Sequence, residues 1–300
     1  MLWPATSALA QAEPEKPLGG PPAAGWTSFA RGGAVYQFDA ELDNGTEFSS
    51  SRFNIEAGSG YSWTRRNSVA LALSYSLDDY SFSNNSAGQT NGVNPWDDIH
   101  SLSLSLPVRW GVSERWSSFF VPSVRSSGES GAEFSDTISG GLLGGFAYRF
   151  SDSLTIGPGL GIISQLEDDA TIFPILIVDW QITDKLSLET GRGLAATLGP
   201  GLTLNYQLNP KWNLAIGGRY EKLRFRLDTN AETADGIGED RSFPLFASAT
   251  HRFTPKIAAS LVGGLELDGE LRQEDKDGNE IGSESYDPAA FLGLTFNIRW

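Results

Sequence analysis

Apolar and polar residues alternate along most of the chain with a period of two, the pattern of β-strands that have one apolar and one polar face. One segment sets Phe53 and Ile55 against Arg52, Asn54 and Glu56, and similar segments recur as far as the C-terminus. No segment keeps the helical period of 3.6 for long. The pattern therefore predicts an all-β chain.

About fourteen segments carry this alternation. Each has roughly 10–15 residues, the length that a tilted strand needs to cross a bilayer. Segment 185–194 is the weakest, because Arg192 breaks its alternation, and a barrel of twelve strands is the alternative if this segment is not a strand of its own. The predicted strands are 33–42, 50–63, 68–82, 98–110, 115–126, 136–150, 153–163, 170–182, 185–194, 198–208, 211–227, 241–253, 256–271 and 285–300.

The connections between these segments fall into two classes. Tight turns lie at 65–67, 111–114, 151–152, 183–184, 209–210 and 254–255. The other set includes long polar loops, at 83–97, 127–135, 228–240 and 272–284. Short turns on one side and longer loops on the other are typical of a transmembrane antiparallel up-and-down β-barrel, with periplasmic turns and extracellular loops.

Large aromatic residues stand beside the tight turns and at the chain end, always on the apolar face. An amphipathic ring at headgroup level satisfies its apolar body and its polar edge together. A large aromatic also closes the end of many soluble strands, but its recurrence at every tight turn favours a membrane girdle. The predicted girdle consists of Trp63, Trp110, Trp116, Phe150, Trp180, Tyr206, Trp212, Phe253 and Trp300.

With these features the chain resembles bacterial outer-membrane β-barrels over residues 33–300. Its last strand ends in Trp300, with apolar residues at every second position before it, and is similar to the C-terminal signal that the barrel-assembly machinery recognises. It is most similar to porin-like barrels of domain-of-unknown-function families. The resemblance implies residence in the bacterial outer membrane, with its lipid and the barrel-assembly machinery as partners.

The N-terminal region differs in composition from the barrel. Residues 1–12 end in Ala10-Gln11-Ala12, which fits a signal-peptidase site and suggests a truncated signal peptide. The alternative is a Pro/Ala-rich tail that was never a signal. Residues 13–32 are rich in Pro and Gly and have few core residues, so we expect a disordered tail or a plug. The barrel is then expected over 33–300.

Charged residues on the polar face are expected to line the lumen, since a lipid-facing charge near the midplane costs about 2–4 kcal/mol. Acids come mainly from the first and last strands and bases mainly from the eleventh, so an acidic wall could face a basic wall. The alternative is that these charges pair and fill the interior. The pore-lining candidates are Asp39, Glu41, Glu56, Arg125, Arg219, Lys222, Arg224, Arg226, Glu266, Asp268 and Glu270.

Four strands end in arginine followed by an aromatic residue. Alternation sends the ring to lipid and the arginine to the lumen. Arg109, Arg149, Arg252 and Arg299 would then form a basic collar at the periplasmic mouth. The alternative is that each arginine caps its hairpin or extends to lipid headgroups.

Composition narrows the possible functions. The chain has no cysteine, only two histidines and a formal charge of −15. These numbers argue against disulfides, thiolate or histidine-rich metal sites and a nucleic-acid partner. We expect no cofactor and no catalysis, and predict a monomeric or oligomeric passive porin for small solutes. The alternatives are a rim hydrolase built around His100 and a closed barrel with a structural or adhesive role.

Overall fold

The computed structural model describes residues 24–84, 95–190, 201–231 and 233–300. They form a single antiparallel sheet that closes on itself, because the first strand pairs with the last from Phe29↔Arg299 to Gln37↔Phe291. The strands are β1 (Gly25–Glu41), β2 (Thr46–Ser62), β3 (Ser68–Asn84), β4 (Asp98–Ser105), β5 (Val108–Gly111), β6 (Trp116–Glu129), β7 (Ile138–Arg149), β8 (Leu154–Gln165), β9 (Asp168–Gln181), β10 (Leu186–Thr190), β11 (Gly201–Asn209), β12 (Trp212–Arg219), β13 (Glu221–Arg226), β14 (Ile237–Thr254), β15 (Ile257–Glu274), β16 (Glu280–Tyr286) and β17 (Ala289–Arg299).

Fourteen barrel strands result, because three of them are each interrupted once. The interrupted strands are β4 with β5, β12 with β13, and β16 with β17. The predicted fourteen-strand up-and-down barrel is confirmed. The weakest predicted segment, 185–194, is a separate strand, since β10 pairs with both β9 and β11.

The first strand begins earlier than predicted. β1 starts at Gly25, so residues 25–32, which were assigned to the tail, are part of the barrel wall. Their Gly-rich composition does not prevent pairing, and Gly25–Gln37 is in register with Ser62–Ser50 of β2. The predicted signal remnant and the rest of the tail lie outside the described residues.

The two ends of the barrel differ in their connections. The end that carries the tight turns, the described start of β1 and the C-terminus is called the short-turn end, and the opposite end the long-loop end. Several long-loop connections are shorter than predicted, because β14 and β15 extend farther than the alternation indicates. The connection between β15 and β16 is reduced to a hairpin tip, in which Gly278 has φ +82°. In this tip, hydrogen bonds from the side chain and the backbone of Asn279 lower the pKa of Asp275.

A short 3₁₀ helix, Phe134–Thr137, lies in the connection between β6 and β7. No helix among the described residues is long and apolar enough to cross a membrane.

The outer face at the short-turn end is a belt of aromatic rings. All nine residues of the predicted girdle are exposed there. Neighbouring rings contact one another around the belt, as between Trp63 and Trp110, whose centroids are 6.4 Å apart, and between Trp212 and His251, at 4.6 Å. The belt gains rings that the sequence analysis did not include: Trp26, Tyr61, Tyr148 and His251.

We predict that Trp300→Asp lowers the amount of assembled barrel several-fold. Trp300 is exposed at the short-turn end, and its backbone is hydrogen bonded to Ser28 of β1 at 3.0 Å in both directions. The measurement is the heat-modifiable fraction in outer membranes on unboiled gels. Phe134→Ala, at an exposed ring of the long-loop end, is the control. Equal assembly of the two variants would contradict an assembly role for the terminal aromatic.

Candidate functional site

Four consecutive barrel strands, the eleventh to the fourteenth, are disrupted at one level. Tyr220 separates β12 from β13, the register of β14 shifts between Arg241 and Phe243, and Asp268 of β15 has φ +51°. The segment 287–288 separates β16 from β17. Bulges and breaks bend a strand and increase its local twist. A shared line of bends therefore divides these strands into a wall part and a long-loop part.

The long-loop part crosses the mouth of the barrel. It consists of β13, residues 237–241, residues 269–274 and β16, and is called the cap sheet. Arg226, at the end of β13, pairs in parallel with Gly128 of β6, although the eleventh and fifth barrel strands are not neighbours in the wall. On another strand of the cap sheet, Gln273 Nε2 donates to the Pro95 carbonyl at 3.0 Å. The cap sheet therefore covers the long-loop mouth.

The underside of the cap sheet is apolar and packs on the inner wall. Phe225 is fully buried, and its ring centroid lies 5.2 Å from that of Trp96. Burying a phenylalanine side chain is worth about 1.5–3 kcal/mol. The whole group, called the cap cluster, consists of Ala40, Leu42, Phe48, Tyr80, Trp96, Ile99, Phe225, Leu227, Leu271, Tyr286 and Ala289.

Beside the cap cluster, Arg52 of β2 connects the wall to the cap sheet. Its Nη1 lies 2.6 Å from Glu266 Oε1 in the wall and 3.8 Å from Glu221 Oε2, and its Nη2 lies 3.3 Å from Asp240 Oδ2 in the cap sheet. Its Nε lies 3.9 Å from Asp78 Oδ1. One guanidinium thus balances Asp78, its register partner on β3, together with carboxylates that the bent sheet brings to it.

Neutral side chains complete this network. The hydroxyl groups of Tyr80 and Tyr286 donate to the Asp240 carboxylate at 2.7 and 3.2 Å. Arg52 Nη2 also donates to Gln37 Oε1 at 3.1 Å. Buried charges are tolerated when they are paired and hydrogen bonded, and removing one partner leaves an uncompensated charge. These contacts therefore favour the cap sheet in this position, in addition to the apolar packing of the cap cluster.

The upper face of the cap sheet is held by a separate set of contacts. Arg224 pairs with Glu239 at 3.1 Å and donates to the Leu166 carbonyl at 2.8 Å. Arg226 pairs with Glu167 at 2.6 Å. Leu166 and Glu167 form the turn between β8 and β9, so this turn lies on the cap sheet from above.

Four predicted pore-lining residues face the barrel interior. Glu56 pairs with Arg31 at 3.2 Å, and Arg125 donates to the Ser101 hydroxyl at 2.8 Å. The other two are Arg219, paired with Glu221, and Glu266, paired with Arg52. These charges are paired or hydrogen bonded, as in the alternative interpretation of the sequence.

The remaining predicted pore-lining residues do not line the lumen. A register shift between Gln37 and Ala40 reverses the alternation, so Ala40 is buried in the cap cluster while Asp39 and Glu41 are exposed outside. The bend at Asp268 exposes that residue in the same way. Beyond the bends, four more belong to the outer face of the cap sheet: Lys222, Arg224, Arg226 and Glu270. The prediction that these seven residues line an acidic and a basic wall of the lumen is therefore wrong.

The four collar arginines lie at the short-turn end on the inward side. Arg299 is in register with Phe29, which is buried in an interior cluster, and Arg109 is in register with Phe119, which packs against the same cluster. Arg149 and Arg252 precede Phe150 and Phe253, both exposed on the outer face.

His100 does not have the geometry of a hydrolytic relay. Asp98 Oδ2 and Ser130 Oγ both contact its Nε2, at 2.8 and 3.1 Å, while the Tyr75 hydroxyl contacts its Nδ1 at 2.8 Å. A relay needs the acid and the nucleophilic hydroxyl on different ring nitrogens. His100 also alternates with inward-facing Ser101 and so lies on the outer side of the wall. The arrangement gives no support to a rim hydrolase.

Residues 64–297 match the model of a family described as a domain of unknown function, DUF6268. The chain belongs to this family. No curated protein matches the DUF6268 barrel significantly.

Among solved structures, the DUF6268 barrel is similar to the COG4313 outer membrane channel from Pseudomonas putida F1. That likeness has a TM-score of 0.50 at 13% identity and covers 96% of this chain and 100% of the other. A Pseudomonas aeruginosa FadL homologue has a TM-score of 0.44 at 12% identity, and the likeness covers 92% of this chain and 89% of the homologue. The P. putida toluene transporter TodX has a TM-score of 0.44 at 9% identity, and the likeness covers 99% of this chain and 92% of TodX. At 13% identity, the likeness to the COG4313 channel shows a shared fold alone, that of an outer-membrane β-barrel.

The sequence analysis missed most of the network under the cap sheet. Arg52 appeared there only as a polar member of an alternating segment, and Asp78, Glu221 and Asp240 were not predicted to line the lumen. A signal was present for Arg52, the single base on an inward face that also carries Asn54 and Glu56. Its partners could not be found by alternation, because Asp240 and Glu221 lie beyond the bends.

We predict that Arg52→Gln exposes the cap sheet to protease. The change removes the charge that faces Glu266, Asp240 and Glu221, and breaking a buried pair from one side costs about 3–5 kcal/mol. The measurement is trypsin cleavage of folded protein at Arg224 and Arg226. Arg125→Gln, which removes an inward arginine bonded to the wall, is the matched control. Equal resistance of both variants would show that Arg52 does not hold the cap sheet.

Proposed function

We propose that the protein is an outer-membrane channel for small solutes and that the cap sheet is its gate. The exposed apolar side chains of the wall and the aromatic belt suit a lipid environment. In that membrane the short-turn end faces the periplasm and the long-loop end the exterior. The gate would then control passage between the exterior and the lumen.

The observation that carries the proposal is the Arg52 network. It joins the wall to the cap sheet through Asp240 and Glu221 by a few charged contacts rather than by continuous wall pairing. The bends at Tyr220 and Asp268 provide a line about which the cap sheet can move as a unit. Such a sheet has two arrangements, one paired with the inner wall and one released.

Two aromatic rings of the lower interior lie against glycines of the wall. Phe173 lies against Gly161 of the neighbouring strand, where an added Cβ would be 2.2 Å from the ring, and Phe29 lies in the same way against Gly58 at 2.5 Å. Glycine lets an aromatic side chain lie along the wall, a pairing also used to stabilise sheets. Both rings also pack with Ala72, Val121 and Leu143 in a buried interior cluster, so solute passing through the barrel would move beside this cluster.

Planar-bilayer recording tests the gate. We expect the wild-type protein to open rarely, and Arg52→Gln to raise the open probability at least about tenfold, since 1.4 kcal/mol is one factor of ten. Arg125→Gln should leave it unchanged, because Arg125 contacts the wall through Ser101 and does not pair with the cap sheet.

A disulfide provides the converse test. The chain has no cysteine, so Arg226→Cys with Gly128→Cys introduces one defined pair, at positions already paired across the mouth. Thr137→Ser accompanies them, because a Cβ at position 128 would lie 2.6 Å from the Thr137 Cγ2. Combined with Arg52→Gln, the oxidised pair should suppress conductance and a reductant should restore it. Folded protein that stays silent under all conditions would indicate a closed structural barrel. Steady conductance unaffected by the disulfide would indicate an ungated porin.

A further inference from the structure

Arginines converge on the inner face of the short-turn mouth from five barrel strands. Arg109 and Arg149 precede Trp110 and Phe150, whose exposed rings are on the outer face, so the arginines point inward. Arg252 lies two residues from Thr250, whose hydroxyl bonds across the inner face to Ser260 at 2.8 Å. Arg31 of β1 adds a fifth arginine to the four predicted ones, so the collar of the structure consists of Arg31, Arg109, Arg149, Arg252 and Arg299.

Three collar arginines form no ion pair with a carboxylate of the described residues. None of the ion pairs among residues 24–84, 95–190, 201–231 and 233–300 includes Arg109, Arg149 or Arg252. The Nε of Arg109 is buried and has no hydrogen-bond acceptor, while Arg252 donates to the Pro210 carbonyl at 3.3 Å. By contrast, Arg31 pairs with Glu56 at 3.2 Å. A buried N–H without an acceptor is costly, so the collar retains capacity to bind an anion.

Lipid headgroups do not account for this capacity. Arginines that extend to headgroups do so from the outer face, beside girdle aromatics, whereas the collar is on the opposite face of the same strands. The acids Asp179 and Glu189, in register on β9 and β10, lie on the inner face between the two flanks of the collar. They disfavour an anion beside β9 and β10, and Asp179 also attracts the guanidinium of Arg109, so an anion competes with this carboxylate for Arg109.

We propose that the collar binds the oxyanion of a small solute, a carboxylate, sulfate or phosphate group, at the periplasmic mouth. A guanidinium offers N–H groups in a planar fork that matches two oxygens of such an anion. Arg109, Arg149 and Arg252 supply the contacts, and Arg31 and Arg299 add positive charge. The inference that the channel carries such an anion rests on the proposed function. The inference that the collar binds the anion does not.

Calorimetric titration of the folded protein in neutral detergent tests the site, with citrate and inorganic sulfate as probes at low ionic strength. We expect saturable binding, and at least about tenfold weaker binding for Arg109→Gln, Arg149→Gln or Arg252→Gln, since hydrogen bonds to charged groups are among the stronger ones. Lys211→Gln and Lys256→Gln, at exposed turns of the same end, are the controls and should change affinity less than twofold.

Each outcome decides the proposal. Absence of saturable binding to wild-type protein, or equal losses in the lysine controls, would overturn it. Displacement of bound citrate by anionic phospholipid in mixed micelles would show that the site takes a lipid headgroup instead. Heat modifiability on gels confirms that each variant is folded.

Conductance separates this inference from the gate. In the Arg52→Gln background, Arg149→Gln should shift the reversal potential toward cation preference without changing the open probability. Absence of anion binding to the wild-type protein, with gating intact, would refute the collar alone, and anion binding without gating would refute the gate alone.

Discussion

Every position in this barrel depends on the alternation of side chains between the two faces of a strand. A single extra residue reverses the alternation for the rest of the strand. Before the shift in β1, Gln37 faces inward; after it, Ala40 takes the inner face and Asp39 the outer. The same reversal at Asp268 directs the side chain of Leu271 inward, where it belongs to the cap cluster. Irregular backbone at a few positions thus decides which charges belong to the interior.

The bends also create a problem that the charges resolve. A sheet folded across the mouth buries polar strands against one another, and carboxylates such as Asp240 and Glu266 leave water there. Their desolvation is unfavourable unless a cation and hydrogen-bond donors face them. Arg52 supplies the cation, and Tyr80 and Tyr286 supply hydroxyl donors to Asp240. Apolar packing of the cap cluster supplies stability, while the ion pairs depend on one orientation of the cap sheet.

The architecture could be predicted from the sequence because it depends on local patterns. Period-two alternation gave the fourteen strands, and the aromatic residues beside tight turns lie where the pattern placed them. The network under the cap sheet could not be predicted in this way. It depends on Tyr220, Asp268 and the register shift after Gln37, and nothing in the alternation marks these positions as bends. Trp96 likewise lies in a predicted polar loop, yet it is buried in the cap cluster.

The two mouths of the barrel use charge in opposite ways. At the long-loop end, acids and bases from different strands pair across the cap sheet, as in Arg224 with Glu239, and opposite charges draw the sheet over the opening. At the short-turn end, like charges face one another in the collar, where Arg109 lies near Arg149 and the Arg109 Nε has no hydrogen-bond acceptor. Like charges around an opening resist its collapse and attract a counter-ion. Pairing thus favours closure at one end, while repulsion keeps the other end open to an anion.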